Sequence, residues 1–532
     1  MKRKNQITKL KETSKWDFIV IGGGASGLGS ALDAATRGFK TIVLESNDFA
    51  KGTSSRSTKL VHGGVRYLAQ GDIALVREAL KERGLLAKNA AHLVKNQTFV
   101  IPNYTWWGGL YYKLGLTMYD LLAGKLSLGR TKYLDKKKTV LKLPTIEQNK
   151  LTSGVVYKDG QFDDSRLAIN LAQSVVEEGG CAVNYMKVIG LMKDADGTIT
   201  GVKAYDRLND NSFELKGKVV INATGVFTNT ILNMDDSRHG KFVVPSQGIH
   251  LVLDRSFLPS DDALMVPKTS DGRVLFAVPW HNKVVVGTTD TLIDEPSFEP
   301  KVLEKEVEFI LETASRFLIK KPKREDVLSV FAGLRPLAAP KKQGAKTKEV
   351  SRSHKVITSP TGLVTITGGK WTTYRKMAED VIDKAIDIKG LPQKACITET
   401  LPIHGNMPEK EVDRMEHLYV YGSDIPSIKE LQRLHSKYAE KIHENYDYTV
   451  AEVVWAVRNE MAQTIEDVLA RRVRLLFLDA RAAIDCAPQV ASIMAEELGY
   501  DHDWVVNEVA KFTELAKSYL LFDYAPKMES LA

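Results

Sequence analysis

The chain has 532 residues, 43% of them apolar, with 74 lysines and arginines against 66 aspartates and glutamates. That length and apolar content exclude a single small domain and predict about two to four. The net charge of +8 fits anionic partners such as phosphates, acidic lipids or nucleic acid without choosing among them.

In chain order, the first fifteen residues, MKRKNQITKLKETSK, are basic, but no apolar stretch of signal-peptide length follows them, so secretion is not expected. No segment offers 18 uncharged apolar residues, the minimum for a membrane-spanning helix. Cys181, Cys396 and Cys486 are far apart and form no CxxC pair, which points to a reducing, cytoplasmic setting. From Trp16 the pattern reads strand, glycine turn, helix, strand, with β-branched runs at 18–21 and 41–44. This predicts a buried parallel sheet in an α/β, Rossmann-like domain. Further strand-like stretches at 154–157, 219–223 and 363–367 lie far apart, so that domain is expected from discontinuous pieces, 16–100, 150–240 and 330–390.

Residues 104–125, YTWWGGLYYKLGLTMYDLLAGK, place paired aromatics and leucines beside lysines, and RTKYLDKKK follows. Two readings stay open: an interfacial segment at a membrane surface, with Asp120 opposing full insertion, or a helix packed on protein. Residues 241–330 alternate as HLVLD, ALMVP, VLFAVPW and KVVVGTTD between Gly, Pro and Asp-Gly turns, which predicts an antiparallel second sheet. With 101–149, the stretch 241–329 is expected to form a substrate-binding domain. After about residue 391 the pattern turns helical, at 408–418, 425–444, 449–460, 463–485 and 503–521. This predicts a helical C-terminal domain, 391–532, either capping the site or forming a homodimer interface.

Gly22-x-Gly24-x-x-Gly27, with Ser26 inside it, sits where strand becomes helix. Bare backbone there lets a pyrophosphate reach the helix N-terminal N–H groups. Glu45 ends the next strand, 23 residues after Gly22, where a carboxylate can accept from an adenosine ribose diol. That fingerprint serves NAD and FAD alike. Ala223-Thr224-Gly225 closes a second strand with a small-residue turn, and Thr53, Ser54, Ser57, Lys59, His62, Gly63 and Gly64 add hydroxyls and a glycine pair shortly after the ribose acid. These suit a cofactor that extends past its phosphates into a flat ring.

TSSRSTKLVHGGVRYL, NATGVF, FAVPWHNKVVVGTTDT, FAGLRPL and TGGKWTTYRKMAEDV together resemble the FAD-dependent, quinone-linked glycerol-3-phosphate dehydrogenases, with glycerol-3-phosphate oxidases as near relatives. The resemblance runs from Trp16 to about residue 390 and continues more weakly beyond. It implies a fold like the glycine and amino-acid oxidases. The implied reaction takes hydride from C2 of glycerol 3-phosphate to flavin N5, yields dihydroxyacetone phosphate, and passes electrons to a membrane quinone, with oxygen as the alternative acceptor. Arg335, Arg352 and Arg66 fall where the family places substrate-binding arginines, with Tyr67, His250 and Lys370 completing the cradle. Guanidinium forks suit a phosphate dianion. His62 is preferred over His250 as the base taking the C2 hydroxyl proton. Gly369, Lys370, Trp371 and Thr372 open a helix whose N-terminus and ammonium favour negative charge on a reduced flavin, and Val188 joins the cofactor set. A nucleic-acid partner is not expected, because the cations are dispersed or lie inside these motifs. An amino-acid oxidase would need a single carboxylate anchor rather than several cations. The resemblance implies peripheral attachment to the inner face of the cell membrane, and no metal is expected.

Overall fold

The computed structural model describes residues 1–68, 71–105, 107–238, 240–338 and 354–524, with Arg66 described by its backbone alone. Arg352 and Trp106 lie outside the described residues. Two sheets meet at the candidate site, and a helical domain closes over one side. The FIVI run forms the C-terminal two thirds of β1 (Trp16–Ile21), and Phe18, Ile19 and Val20 are fully buried. Burying side chains of this size stabilises by about 1.5–3 kcal/mol each. After the glycine turn come α1 (Ala25–Thr36) and β2 (Thr41–Leu44). Later elements are α2 (Ile73–Asn89), β3 (Val94–Asn103), α3 (Gly108–Ala123), β4 (Ser153–Phe162), α4 (Asp164–Glu177), β5 (Cys181–Val183) and β6 (Asn211–Asn222).

Four strands follow in the second sheet: β7 (Val243–Asp254), β8 (Ala263–Val266), β9 (Leu275–Trp280) and β10 (Lys283–Gly287). The chain then forms β11 (Val327–Ala338), β12 (Lys355–Thr358), β13 (Val364–Thr367) and α5 (Tyr374–Lys389). The first sheet runs β12-β13-β6-β1-β2-β5, with parallel pairing from β13 through β5. Register brings Ile21 beside both Asn222 and Leu44, so three strand ends converge under the glycine turn. α1 packs on α5 because Gly29 leaves room for Tyr374: a β-carbon at 29 would lie 2.9 Å from its ring.

The second sheet orders β7-β10-β9-β8-β3-β4, with β11 paired along β7. Antiparallel pairing of β7, β10, β9 and β8 matches the alternation expected over 241–330. The expected domain ranges do not hold throughout. β3, β4, β11 and the short strand Leu60–Val61 all lie in the second sheet, not in the first domain. The cause is pairing: β4 runs antiparallel to β3 from Val94 opposite Phe162 to Asn103 opposite Ser153.

The C-terminal region is helical, with α6 (Val450–Glu460), α7 (Ala480–Leu498) and α8 (His502–Lys517). Residues 408–418 contain single turns rather than the expected helix. The stretch 463–485 is broken: a wide turn at Asp467–Arg472 precedes Arg474 at φ 66°, and Asp479 then caps α7. Arg471, Arg472 and Arg474 are buried and bind inward. Arg471 and Arg472 both donate to Asp48, at 2.6 Å. Arg474 donates to Asp164 at 3.0 Å, and Arg166 forms a two-pronged pair with Glu460 at 2.8 Å. Arg471, Arg472 and Arg474 tie the helical domain to the loop after β2 and to the start of α4, so they are unavailable as a dimer interface.

Candidate active site

A groove lies over the converging strand ends of the first sheet. Its floor is the glycine turn and its walls include Glu45, Thr53, Ser54, Val188, Ala223, Thr224, Gly225, Gly369, Lys370 and Trp371. Gly22, Gly24 and Ser26 line it at the N-terminus of α1. Gly22 adopts φ 110°, and a β-carbon on Gly27 would come within 1.8 Å of the Gly22 carbonyl oxygen. Only bare glycine permits that turn to fold so tightly. Glu45 accepts from the Gly23 N–H at 2.7 Å and from the Asn47 N–H at 2.9 Å. Ser46 Oγ donates to the same oxygen as Asn47, at 3.1 Å. Burial raises the carboxyl's pKa, and the oxygen that accepts from Gly23 keeps a second lone pair for a ribose hydroxyl. The Ala25 N–H donates to Ser54 Oγ at 2.9 Å, and the Trp371 indole donates to the Ser54 carbonyl at 2.9 Å. Phe298 stacks on Phe227 at 4.2 Å along the groove. This bare-backbone cradle, with a helix N-terminus at its centre and an acid at one end, fits an extended dinucleotide.

A second cavity opens between this groove and the second sheet. It is lined by polar Thr58, His62, Tyr67, Arg273, Thr288, Asp290 and Arg335, and by Leu60, Phe99, Tyr157, Met265, Val274 and Phe276, which belong to one apolar cluster. Arg335 donates to Thr288 Oγ1 at 3.0 Å and lies 3.7 Å from Asp290. Lys370 lines the groove and also sits 3.9 Å from the centre of the Tyr67 ring, so the two compartments meet at that cation–π contact. β11 is their shared wall. Arg335 faces the cavity and its neighbour Pro336 faces the groove, as strand alternation requires.

The family model for FAD dependent oxidoreductases matches residues 17–375, and that for the C-terminal domain of alpha-glycerophosphate oxidase matches 359–504. The chain is 37% identical to the mitochondrial glycerol-3-phosphate dehydrogenase of Mesocricetus auratus, over 99% of this chain and 76% of that protein. The Schizosaccharomyces pombe protein of the same name is 36% identical, over 94% and 87%. The crystal structure of a Bacillus halodurans glycerol-3-phosphate dehydrogenase complexed with FAD superposes with a TM-score of 0.80 and 30% identity, covering 98% of this chain and 99% of that one.

The chain belongs to the FAD-dependent glycerol-3-phosphate dehydrogenase family.

A Geobacillus kaustophilus glycine oxidase shares the fold, with a TM-score of 0.52, 17% identity, and 74% of this chain and 100% of that one covered. The family's cofactor is FAD, and the protein is an FAD enzyme of this kind.

Several residues predicted from the family motifs lie elsewhere than in the groove. Ser57 and Lys59 face the protein interior. Ser57 Oγ donates to Asp164 at 2.7 Å, and the buried Lys59 ammonium donates to Asp164 at 2.7 Å and to the Ser55 carbonyl at 2.6 Å. Burial, with Arg474 beside it, pulls Lys59 down to about 7 against the attraction of Asp164. Gly27 serves the turn rather than the groove surface. His62 and Gly64 line the cavity rather than the groove, Gly63 is buried between them, and Thr372 Oγ1 accepts from the His62 N–H at 3.1 Å. His250 stands one layer behind the cavity, its Nε2 2.9 Å from Thr58 Oγ1 and its ring 4.9 Å from Phe331. Burial, helped by Arg335 and Lys59, holds it well below the usual histidine range. Sequence reasoning did not single out Arg273, Thr288 or Asp290. The GTTDT run at the end of β10 was the available signal for the last two. Nothing local marked Arg273.

Proposed function

We propose that the protein oxidises sn-glycerol 3-phosphate to dihydroxyacetone phosphate and passes the electrons to a quinone in the membrane on which it lies. The observation that carries this reading is the cavity in which Arg335, Tyr67 and His62 gather beside the cofactor groove, with Lys370 at the junction. A phosphate monoester carries about −1.5 to −2 charge, which Arg335 and Lys370 complement, and Arg273 adds a third cation at the cavity. Bound FAD supplies the acceptor for the hydride that leaves C2. His62 takes the C2 hydroxyl proton; His250, neutral and turned to Thr58, supports the wall from behind. The N-terminus of the helical segment that starts at Trp371 favours negative charge at that end of the groove.

The apolar cluster in the cavity lining offers nothing to a polyol phosphate and suits the ring of a quinone. α3 lies behind it and, with Trp107 just before it, presents Leu110, Tyr111, Leu114, Met118 and Leu121 outward, with Leu114 76% exposed. That stripe, flanked by exposed Lys113, Lys125, Arg130 and Lys132, suits an anionic lipid surface. Asp120 accepts from the Thr131 N–H at 2.6 Å rather than facing outward. Among the described residues no helix is long and apolar enough to cross a membrane; the exposed stripe and its flanking cations are what lead us to infer peripheral attachment, on the inner face of the cell membrane as the family resemblance implies. An oxidase is not favoured: relatives at 36–37% identity are named dehydrogenases, whereas likeness to a Mycoplasma pneumoniae oxidase, at 15% identity, is one of fold alone.

The deciding experiment adds substrate to the purified yellow protein without oxygen. The flavin absorbance should bleach with glycerol 3-phosphate and stay unchanged with glycerol or NADH; an unchanged spectrum with glycerol 3-phosphate would overturn the reading.

A further inference from the structure

Tyr119 lies on the inward face of α3 and is 1% exposed. Its hydroxyl accepts a hydrogen bond from the Gly63 N–H at 2.7 Å and donates one to Asp159 Oδ2 at 2.7 Å. Asp159 Oδ1 in turn accepts from Arg83 at 2.9 Å, and Arg83 also donates to the Leu126 carbonyl at 3.0 Å. A β-carbon on Gly63 would sit 2.6 Å from the Tyr119 oxygen and from Leu80, so this approach requires glycine. Gly63 separates His62 from Gly64, both on the cavity wall. The preceding N–H, that of His62, is held by Thr372 from the other side. Two consecutive peptide N–H groups are thus clamped by side chains 56 and 310 residues away in sequence. Packing alone does not call for that arrangement. Burial, with Asp159 adding to it, pushes the Tyr119 phenol far above its usual range, so it keeps its proton.

We infer that Tyr119 is a positioning residue for the reaction: anchored by the Asp159–Arg83 ion pair, its hydroxyl fixes the peptide after His62 and so aims that side chain into the cavity. The inference rests on the reading of His62 as the base. Without the hydroxyl, the buried Gly63 N–H loses its acceptor and the segment shifts to find another.

The test compares unaltered protein, Tyr119→Phe and Leu116→Ala by stopped-flow anaerobic flavin reduction at saturating glycerol 3-phosphate. Tyr119→Phe should keep its flavin and a KM within about threefold, while the limiting reduction rate falls by about ten- to a hundredfold, the scale of an ångström's misplacement. The pH dependence of that rate should move with it. Leu116→Ala, which loosens the same helix without touching the hydrogen bond, should lower Tm and leave the limiting rate alone. A wild-type rate in Tyr119→Phe, or equal slowing in both variants, overturns the inference. An unaltered protein that fails to bleach overturns the proposed function, and this inference with it.

Discussion

Arg335 carries the most specific prediction at the scale of single residues. It faces the cavity and not the groove, so Arg335→Ala should raise KM for glycerol 3-phosphate by orders of magnitude while FAD stays bound. Loss of a charge-assisted anchor costs about 2–5 kcal/mol, and steady-state kinetics with flavin content measured on the same sample checks it. An unchanged KM with lost flavin would make Arg335 structural. The meeting of the glycine turn and Glu45 at the groove was legible from sequence because both belong to one βαβ unit. Lys59 was not, although it lies in the same motif run as His62. Its partner Asp164 is 105 residues on, and a lysine's burial depends on such a partner. His250 likewise needed Thr58, 192 residues away, before its place behind the cavity wall could be seen.

α3 is the element with the clearest consequence. Its outward stripe predicts that Leu114→Glu/Leu121→Glu will abolish flotation with anionic vesicles while flavin reduction by glycerol 3-phosphate is retained; equal flotation of variant and unaltered protein would remove the helix from the membrane account. Paired aromatics and leucines beside lysines singled out 104–125 but left its partner open, since exposure is set by what the rest of the chain covers. β4 shows the same limit in another form. A strand-like stretch was visible at 154–157, yet membership of the second sheet was decided by β3, some fifty residues earlier. The antiparallel character of 241–330 was readable because β8, β9 and β10 pair in succession, with β7 joining through β10.

For the molecule as a whole, the seam between helical domain and cofactor domain is ionic and buried. Arg472 and Arg471 outweigh the burial of Asp48 and hold its carboxyl below the usual range. Against burial, Arg471 and Lys51 likewise bring Glu466 down to about 2, compared with about 4.3 for an unfolded glutamate. A carboxyl depressed in the folded state contributes stability that is complete above its unfolded pKa and lost as pH falls through its folded one. Tm, followed by differential scanning fluorimetry, should therefore be flat down to about pH 5 and fall steeply below about pH 4. Asp48→Asn should lower Tm at neutral pH, since breaking a buried pair costs about 3–5 kcal/mol, and should flatten the acid limb; an unchanged Tm would refute the seam's importance. The wall formed by β11 carries one more implication. Because successive residues along it serve different chambers, a single inserted or deleted residue would exchange the two faces at once, turning a proline toward the phosphate and a guanidinium toward the flavin. Drift in length is thus open to the surface loops of this chain and closed to that strand, so a lineage adapting to another substrate has to change side chains there while keeping their count.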